Sequence, residues 1–472
     1  MDVKVLIAGA GPTGLTLAIE LARRDIPVRI IDKAEKFFEG SRGDGLQPRT
    51  LEVFEDLGVL DAVMAASAAE FPMRVYVGGE YVGERRTSEH VEPSPAVPYP
   101  NIRFLGQSRT EAILRARLAQ FDVPVELGNE LVAFDQDDEG VTAKLGNGET
   151  VRAAYLVGAD GGKSFVRKEL GIAFEGTTDE SIRMLLGDVG AEGLDHEHAH
   201  WFGAADNPMH GVVFTPLAGT AQFQFGSPLG DGDLDVETAL PALQRRLDEF
   251  GGERIRLHDL TWSTVWRPNV RLAERFRVGR GFLAGDAAHV HPPTGGQGLN
   301  TGVQDACNLG WKLADGSPEL LDSYEDERRA VAARVLGVST ALLRKYADGN
   351  EHAHERGAET RQLDISYRGG PLSAPGTGAL RPGDRAPDAP LLDTEGKQVR
   401  LFELFRGPHA TALIFGDAAA DAPEGVPAYR ILPAGGHPAV GEFLDAEGHA
   451  FGAYGVDDSR VVLVRPDGYV WS

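Results

Sequence analysis

The six residues Gly9-Ala10-Gly11-Pro12-Thr13-Gly14 constrain this chain more than any other feature. They follow a nearly continuous apolar run, Val3 to Ala8, which reads as a strand buried on both faces of a parallel sheet. An apolar-periodic helix follows from about Leu15 to Arg24, and Pro27 opens a second strand, Val28 to Ile31, that ends at Asp32. Each glycine has its own reason. Gly9 permits the tight turn, Gly11 lets backbone approach a pyrophosphate, and Gly14 lets helix pack on strand. The helix N-terminus then offers free N–H groups and partial positive charge to phosphates, and Asp32 can accept hydrogen bonds from ribose hydroxyls. The unit predicts a dinucleotide but leaves FAD and NAD open, since both carry the same adenosine diphosphate half.

The chain has 472 residues, room for two or three domains. Its net charge of -24 opposes nonspecific contact with nucleic acid or anionic membrane, while a local basic pocket stays compatible with an anionic ligand. No apolar stretch is long enough to span a bilayer, the start Met1-Asp2-Val3-Lys4-Val5 lacks a secretory signal, and the single Cys307 excludes an intrachain disulfide. These features predict a cytoplasmic protein with no nucleic-acid or membrane partner.

Further along, Ser88 to Pro100 is proline-rich and reads as loop, and Glu111 to Ala119 as helix. Val125 to Phe134, Val141 to Leu145 and Thr150 to Val157 read as strands around turns such as Asn147-Gly148. Ile182 to Phe225 differs: short aromatic strands, Met209 to Pro216 and Ala221 to Phe225, suggest an inserted antiparallel sheet. Ser317-Pro318 starts a long helix to about Tyr346, with Gly337 a candidate break. Gly369 to Pro390 is rich in Gly, Pro and Ala and reads as a linker to a small terminal domain.

Two more stretches narrow the ligand. Tyr155-Leu156-Val157-Gly158-Ala159-Asp160-Gly161-Gly162 is a strand ending in an Asp-Gly turn, and Gly281-Phe282-Leu283-Ala284-Gly285-Asp286 is another strand ending in Gly-Asp. The second leads into Pro292-Pro293-Thr294-Gly295-Gly296-Gln297-Gly298-Leu299-Asn300. With the N-terminal turn, these resemble the three fingerprints of the single-component FAD-dependent aromatic hydroxylases, the para-hydroxybenzoate and phenol hydroxylase family. The resemblance covers Val3 to about Leu342.

The resemblance implies an α/β fold: a Rossmann-like FAD-binding domain over residues 1–180 and 270–368, with an inserted antiparallel β-sheet substrate domain over 181–269 to which 75–100 contributes. It implies FAD as cofactor, with Gly9, Gly11, Thr13, Gly14, Asp32 and Lys33 around the adenosine and pyrophosphate, and Leu131 near adenine. Asp160 is implied for FAD and NAD(P)H, Asp286 for the ribityl chain, Arg42 for the FAD and nicotinamide side, and Gln107 for a contact to the cofactor. Pro293, Gly295, Gly296 and Gly298 form the flavin loop, and Gly298, Leu299 and Asn300 start a helix at the flavin pyrimidine edge, where a helix N-terminus stabilises negative charge on reduced flavin.

The family reaction is hydroxylation of a phenolic or polycyclic polyketide ring by O2 through a flavin C4a-hydroperoxide, with NAD(P)H docking transiently. No side chain need be a nucleophile, so none is assigned as catalytic. The absence of a second glycine-turn unit fits transient NAD(P)H and opposes two-dinucleotide reductases. Baeyer–Villiger or ring-opening oxygenation on the same fold, and a flavoprotein that binds an aromatic ligand without turnover, are the competing readings. His196, His198 and His200 alternate, but they sit with Asp195 and Glu197 in what reads as an exposed polar turn, so no metal is assigned. Trp201, Phe202, Phe214, Phe223 and Phe225 divide between substrate face and core in a way that alternation alone leaves open. The tail, residues 391–472, resembles the thioredoxin-like domain of the phenol hydroxylase branch without Cys-x-x-Cys, which implies a structural or subunit-interface role, leaves a homodimer open, and tilts the substrate toward phenols and antibiotic polyketides.

Overall fold

The computed structural model describes residues 1–179, 183–207, 210–229, 237–292, 295–347, 356–419 and 422–472. The apolar runs form one parallel sheet with the order Gly281–Leu283, Thr150–Gly158, Val3–Ala8, Val28–Asp32, Val125–Leu127. Val141–Leu145 and Leu131–Gln136 extend it as an antiparallel meander. Val5, Leu6 and Ile7 are wholly buried, as strands covered on both faces require.

The helix Pro12–Ala22 packs closely on the helix Gly298–Asp315. Small residues permit the approach: a Cβ at Gly302 would overlap the Thr13 hydroxyl, and one at Gly310 would come within 2.5 Å of the Glu20 Cβ. The Gly298 helix stops where Gly316 adopts φ 86°, a left-handed end suited to glycine.

A second sheet of seven strands runs Arg256–Trp266, Arg183–Glu192, Phe223–Leu229, Gly211–Pro216, Ala199–Gly203, Met73–Val77, Glu80–Arg85. It is antiparallel except where Ala199–Gly203 meets Met73–Val77. Alternation divides its aromatics. Phe202, Phe214, Phe223 and Phe225 are buried together with Leu243 and Leu247 of the helix Leu240–Glu249, whereas Trp201, Val213, Thr215 and Gln224 face a cavity.

The last sheet, of six strands from Gln398–Arg400 to Arg460–Val464, has its own core around Leu413, Phe415, Ile431 and Tyr454. Buried charges join it to the first unit. Lys312 Nζ and Arg465 Nη2 both donate to Glu327, at 2.7 and 2.9 Å, and Asn308 donates to Asp467 at 2.9 Å. Low dielectric strengthens such a network only while every member stays paired.

Several expectations change. The segment 369–390 is no free tether: Asp384, Ala386 and Asp388 are buried, and Gly383 and Ala386 donate backbone bonds to Val470 and Gly468. The helix Pro318–Ala347 runs through Gly337, whose missing side chain points into open space, so tertiary packing on the other face carries the helix past it. The expected strand Val125 to Phe134 is two strands, divided at Gly128 with φ 69°. His200 is buried in the strand Ala199–Gly203 rather than exposed in a turn, its Nε2 bonded to the Asp195 carbonyl at 2.9 Å. Pro293 and Met209 lie outside the described residues.

Candidate active site

Three loops at the carboxyl ends of the parallel strands converge. Gly9 has φ 108°, and a side chain there would strike the Ala159 carbonyl; a side chain at Gly14 would strike the Gly9 carbonyl; Gly11 has nothing within 4 Å where its Cβ would be. The first two are needed for the turn itself and the third leaves open space in front of a helix N-terminus with no side-chain cap. Asp32 accepts from the Ala10 amide at 2.8 Å and the Ala34 amide at 2.9 Å, which fixes its carboxylate at the strand end. Lys33 beside it is exposed. The Asn129 amide donates to the Asp32 carbonyl at 3.0 Å and brings the turn before Leu131 against this end of the sheet.

Thr13 links the first loop to the last, because its hydroxyl occupies the space that side chains at Gly285 and Gly302 would need. Asp286 is exposed by surface area, yet protein surrounds it closely enough that desolvation raises its carboxyl pKa. The two facts agree if it lines a cleft rather than the outer surface. Arg42 is near enough to Asp286 and to Glu111 to favour the ionised form of each, and its guanidinium lies 4.6 Å over the Phe38 ring. Gln107 donates to Glu111 at 2.8 Å from the start of the helix Gln107–Ala119. Arg42, Gln107, Asp32 and Asp286 therefore share one electrostatic neighbourhood.

Asp160 has a different placement from the open loops. Its Oδ2 accepts from the Phe165 and Val166 amides at 2.7 and 3.2 Å and so holds the short helix Phe165–Glu169. Arg167 of that helix donates to the Ala287 carbonyl at 2.9 Å and braces the Asp286 loop.

The flavin-loop residues Gly295, Gly296 and Gly298 are held by amides. Gln47 Nε2 and Gln297 Nε2 both donate to the Gly295 carbonyl, at 2.9 and 2.6 Å. Asn300 is wholly buried: it accepts from the Gln47 amide at 2.8 Å and donates to Gly45 and Gly296 carbonyls. Its side chain is thus a staple between loops, while the first-turn N–H groups of Gly298, Leu299 and Asn300 lack partners within the helix.

Sequence reasoning missed the groups beneath and across from this loop. Asp305 accepts from the Gly285 amide at 3.0 Å, His289 Nε2 at 2.6 Å and Arg328 Nε at 2.7 Å, all buried. Burial works to raise its pKa, but His289 and Arg328 hold the carboxyl below its ordinary value. Asp44 lines a cavity of about 640 Å³ together with Gly45, Gln47, Gly295, Gly296 and Trp201. Burial lifts the Asp44 carboxyl to about 6, with Asp188 adding to the rise. Asp188 is itself raised to about 6 by burial and takes 2.6 Å bonds from the Ser41 amide and hydroxyl, which ties the Arg42 loop to the second sheet. The carboxylates Asp195 and Glu197 cluster with His198, but Asp195 is already engaged by Arg74 and His198 at 2.6 and 2.7 Å.

The open space at Gly11, the accessible carboxylate of Asp286 and two uncapped helix N-termini fit an extended dinucleotide whose far end reaches the cavity. Fold and site define a dinucleotide-binding flavoprotein. Residues 2–339 match the FAD binding domain family, and the chain belongs to it. It is 45% identical over 482 residues to a flavin-dependent monooxygenase of Mycobacteroides abscessus, covering 99% of this chain and 96% of that one. The crystal structure of a ternary complex of aklavinone-11 hydroxylase with FAD and aklavinone superposes with a TM-score of 0.83 at 29% identity, covering 100% of this chain and 95% of that one. The protein is a FAD-dependent monooxygenase. A third relative, the dialkyldecalin synthase of Streptomyces rugosporus, is 32% identical over 499 residues, covering 100% of this chain and 96% of that one.

Proposed function

We propose that this enzyme uses NAD(P)H and O2 to hydroxylate a polycyclic, phenolic aromatic substrate bound in the cavity beside the flavin loop. The carrying observation is the cavity: about 640 Å³, floored by Asp44, Gly45, Gln47, Gly295 and Gly296, with Trp201 in its wall. Pockets of roughly 300–1,000 Å³ take drug-sized ligands, so this one suits several fused rings better than a single phenol.

Gly9, Gly11, Thr13 and Gly14 hold the pyrophosphate, Asp32 and Lys33 the adenosine ribose side, Leu131 the adenine by its backbone, and Asp286 the ribityl hydroxyls. Gly298, Leu299 and Asn300 offer N–H groups to the flavin pyrimidine edge. FAD supplies the activation of O2. Arg42 would reach the FAD and nicotinamide side, and Gln107 would contact the cofactor. Asp44 accepts the proton of a substrate phenol, which makes the ring a stronger nucleophile; a carboxyl titrating near 6 is ionised at neutral pH yet basic enough to share that proton. Trp201 and the apolar wall orient the rings and exclude water. The C-terminal unit, which we read as thioredoxin-like, acts as a brace, since the chain's single cysteine, Cys307, lies outside it and is buried.

The test is consumption of NADPH and O2 by purified holoenzyme across phenols and naphthacene-type polyketides, with product connectivity by NMR. A ring hydroxyl supports the proposal. A lactone would establish Baeyer–Villiger insertion instead, and aromatic binding with no consumption of NADPH or O2 would establish a flavoprotein that holds its ligand without turnover.

A further inference from the structure

The chain carries 71 acidic against 47 basic residues, yet the cavity beside the flavin loop is lined by three arginines, Arg183, Arg356 and Arg361, and by two carboxylates, Asp44 and Glu89. Asp44 is raised toward neutrality, and Glu89 is exposed at the edge. Such a reversal of sign within a strongly acidic molecule focuses a local field that an anionic ligand can use.

The three arginines are not equivalent. Arg183 and Arg356 are each engaged by other groups. Among the described residues, none hydrogen-bonds or pairs with the half-buried Arg361 guanidinium. Its backbone, in contrast, is fixed on both sides. The Arg361 amide donates to Ala358, and its carbonyl accepts from the Arg49 amide at 3.3 Å. The next residue, Gln362, is a non-glycine residue at φ 61°, a conformation that persists only where its surroundings hold it. They do: Gln362 Nε2 donates to Gln297 at 2.7 Å and Thr301 at 3.2 Å, and Gln304 donates back to Gln362 at 2.5 Å. Gln297 in turn donates to the Thr360 carbonyl at 3.0 Å. The turn that carries Arg361 is therefore built onto the flavin loop and the first turns of the Gly298 helix.

A cation on a firmly held turn, lining a substrate chamber and without a partner among the described residues, has one evident use. We propose that Arg361 selects and orients substrates bearing an anionic oxygen substituent, such as a carboxylate or an acidic enolate, on the polycyclic ring system. A guanidinium gives two parallel donors to such a group, which sets the ring's rotation as well as its position. Anchoring at Arg361 fixes the orientation of the ring system within the cavity that Asp44 and the flavin loop also line. This inference rests on the reading of the cavity as the substrate chamber.

The test uses full-length holoenzyme with oxidised FAD and two matched probes, anthraquinone-2-carboxylate and anthraquinone-2-carboxamide, titrated by perturbation of the flavin absorbance. The wild type should bind the carboxylate about tenfold or more tightly than the carboxamide. Arg361→Gln should abolish that preference while the carboxamide Kd stays within about twofold, and Arg361→Lys should restore part of it as a single point charge. FAD content and thermal midpoint of each variant report folding separately. A preference that survives in both variants overturns the proposal. Equal binding of the two probes to wild type also overturns it but leaves the chamber assignment standing. If neither probe perturbs the flavin, both the proposal and the assignment of the cavity fail.

Discussion

The Gly285 backbone amide donates to the Asp305 carboxylate at 3.0 Å, so the residue before Asp286 hangs from a side chain of the Gly298 helix. The same carboxylate pairs with Arg328, which also donates to the Tyr367 hydroxyl at 2.9 Å and the Thr301 carbonyl at 3.1 Å. Asp305 thereby holds the loop that presents Asp286 and neutralises a wholly buried arginine. Asp305→Asn should leave that charge uncompensated and destabilise the protein by about 3–5 kcal/mol. It should also weaken FAD retention. Thermal unfolding and FAD titration of the apoprotein measure both; an unchanged midpoint would refute the role.

The glycines give a sharper contrast. Gly302→Ala puts a methyl group into the Thr13 hydroxyl, and the overlap must separate two helices or shift the first glycine turn. The expected cost is about 1–3 kcal/mol, with weakened FAD binding. Gly337→Ala meets nothing within 4 Å on the outer face of a long helix and should stabilise by about 0.4–1 kcal/mol. Denaturant midpoints of the two variants should move in opposite directions.

These cases show what the sequence could and could not carry. The turn Gly9 to Gly14 was legible because its demands are local: a positive φ, an open approach, a close helix. Asn300 was legible as a helix-start residue but not as a side-chain staple between loops, and the support Asp305 was not legible at all. Asn300, Gln304, Asn308 and Lys312 recur every fourth residue, which resembles the solvent face of an amphipathic helix, yet all four are buried. Their burial depends on Gln47, Gln362, Glu327 and Asp467, partners remote in sequence. Asp44 and Arg361 line one cavity although they lie far apart in sequence. Alternation alone left the division of the aromatic residues between core and cavity open, because which face is core depends on the helix Leu240–Glu249 that packs against it.

Asp44 supplies a pH dependence with a definite sign. Burial raises its carboxyl from 3.8 to about 6. In the proposed reaction the ionised form is the proton acceptor, so hydroxylation should be lost as pH falls through about 6 and reach a plateau above it. Asp44→Asn should remove that acidic limb and lower kcat by roughly 10²–10⁴, the usual contribution of a general base. Rates of product formation at saturating phenol across this range distinguish a base from a residue that only shapes the cavity, whose loss would leave the limb in place.

Two adjacent valines of one strand offer a test of the faces themselves. Val212 is wholly buried among Phe214 and its neighbours, whereas Val213 is half-buried and lines the cavity. The same truncation should therefore act on different properties. Val212→Ala removes two packed methyl groups from a core that cannot collapse around them, at a cost of about 2 kcal/mol, with KM near the wild-type value. Val213→Ala should change stability by less than about 0.5 kcal/mol, because its outer side already borders open space. It enlarges the chamber instead, and should raise KM for a planar substrate while the thermal midpoint holds. Unfolding curves and steady-state kinetics on the two variants separate the roles; matching losses of stability would mean that the strand does not present these two residues to different sides.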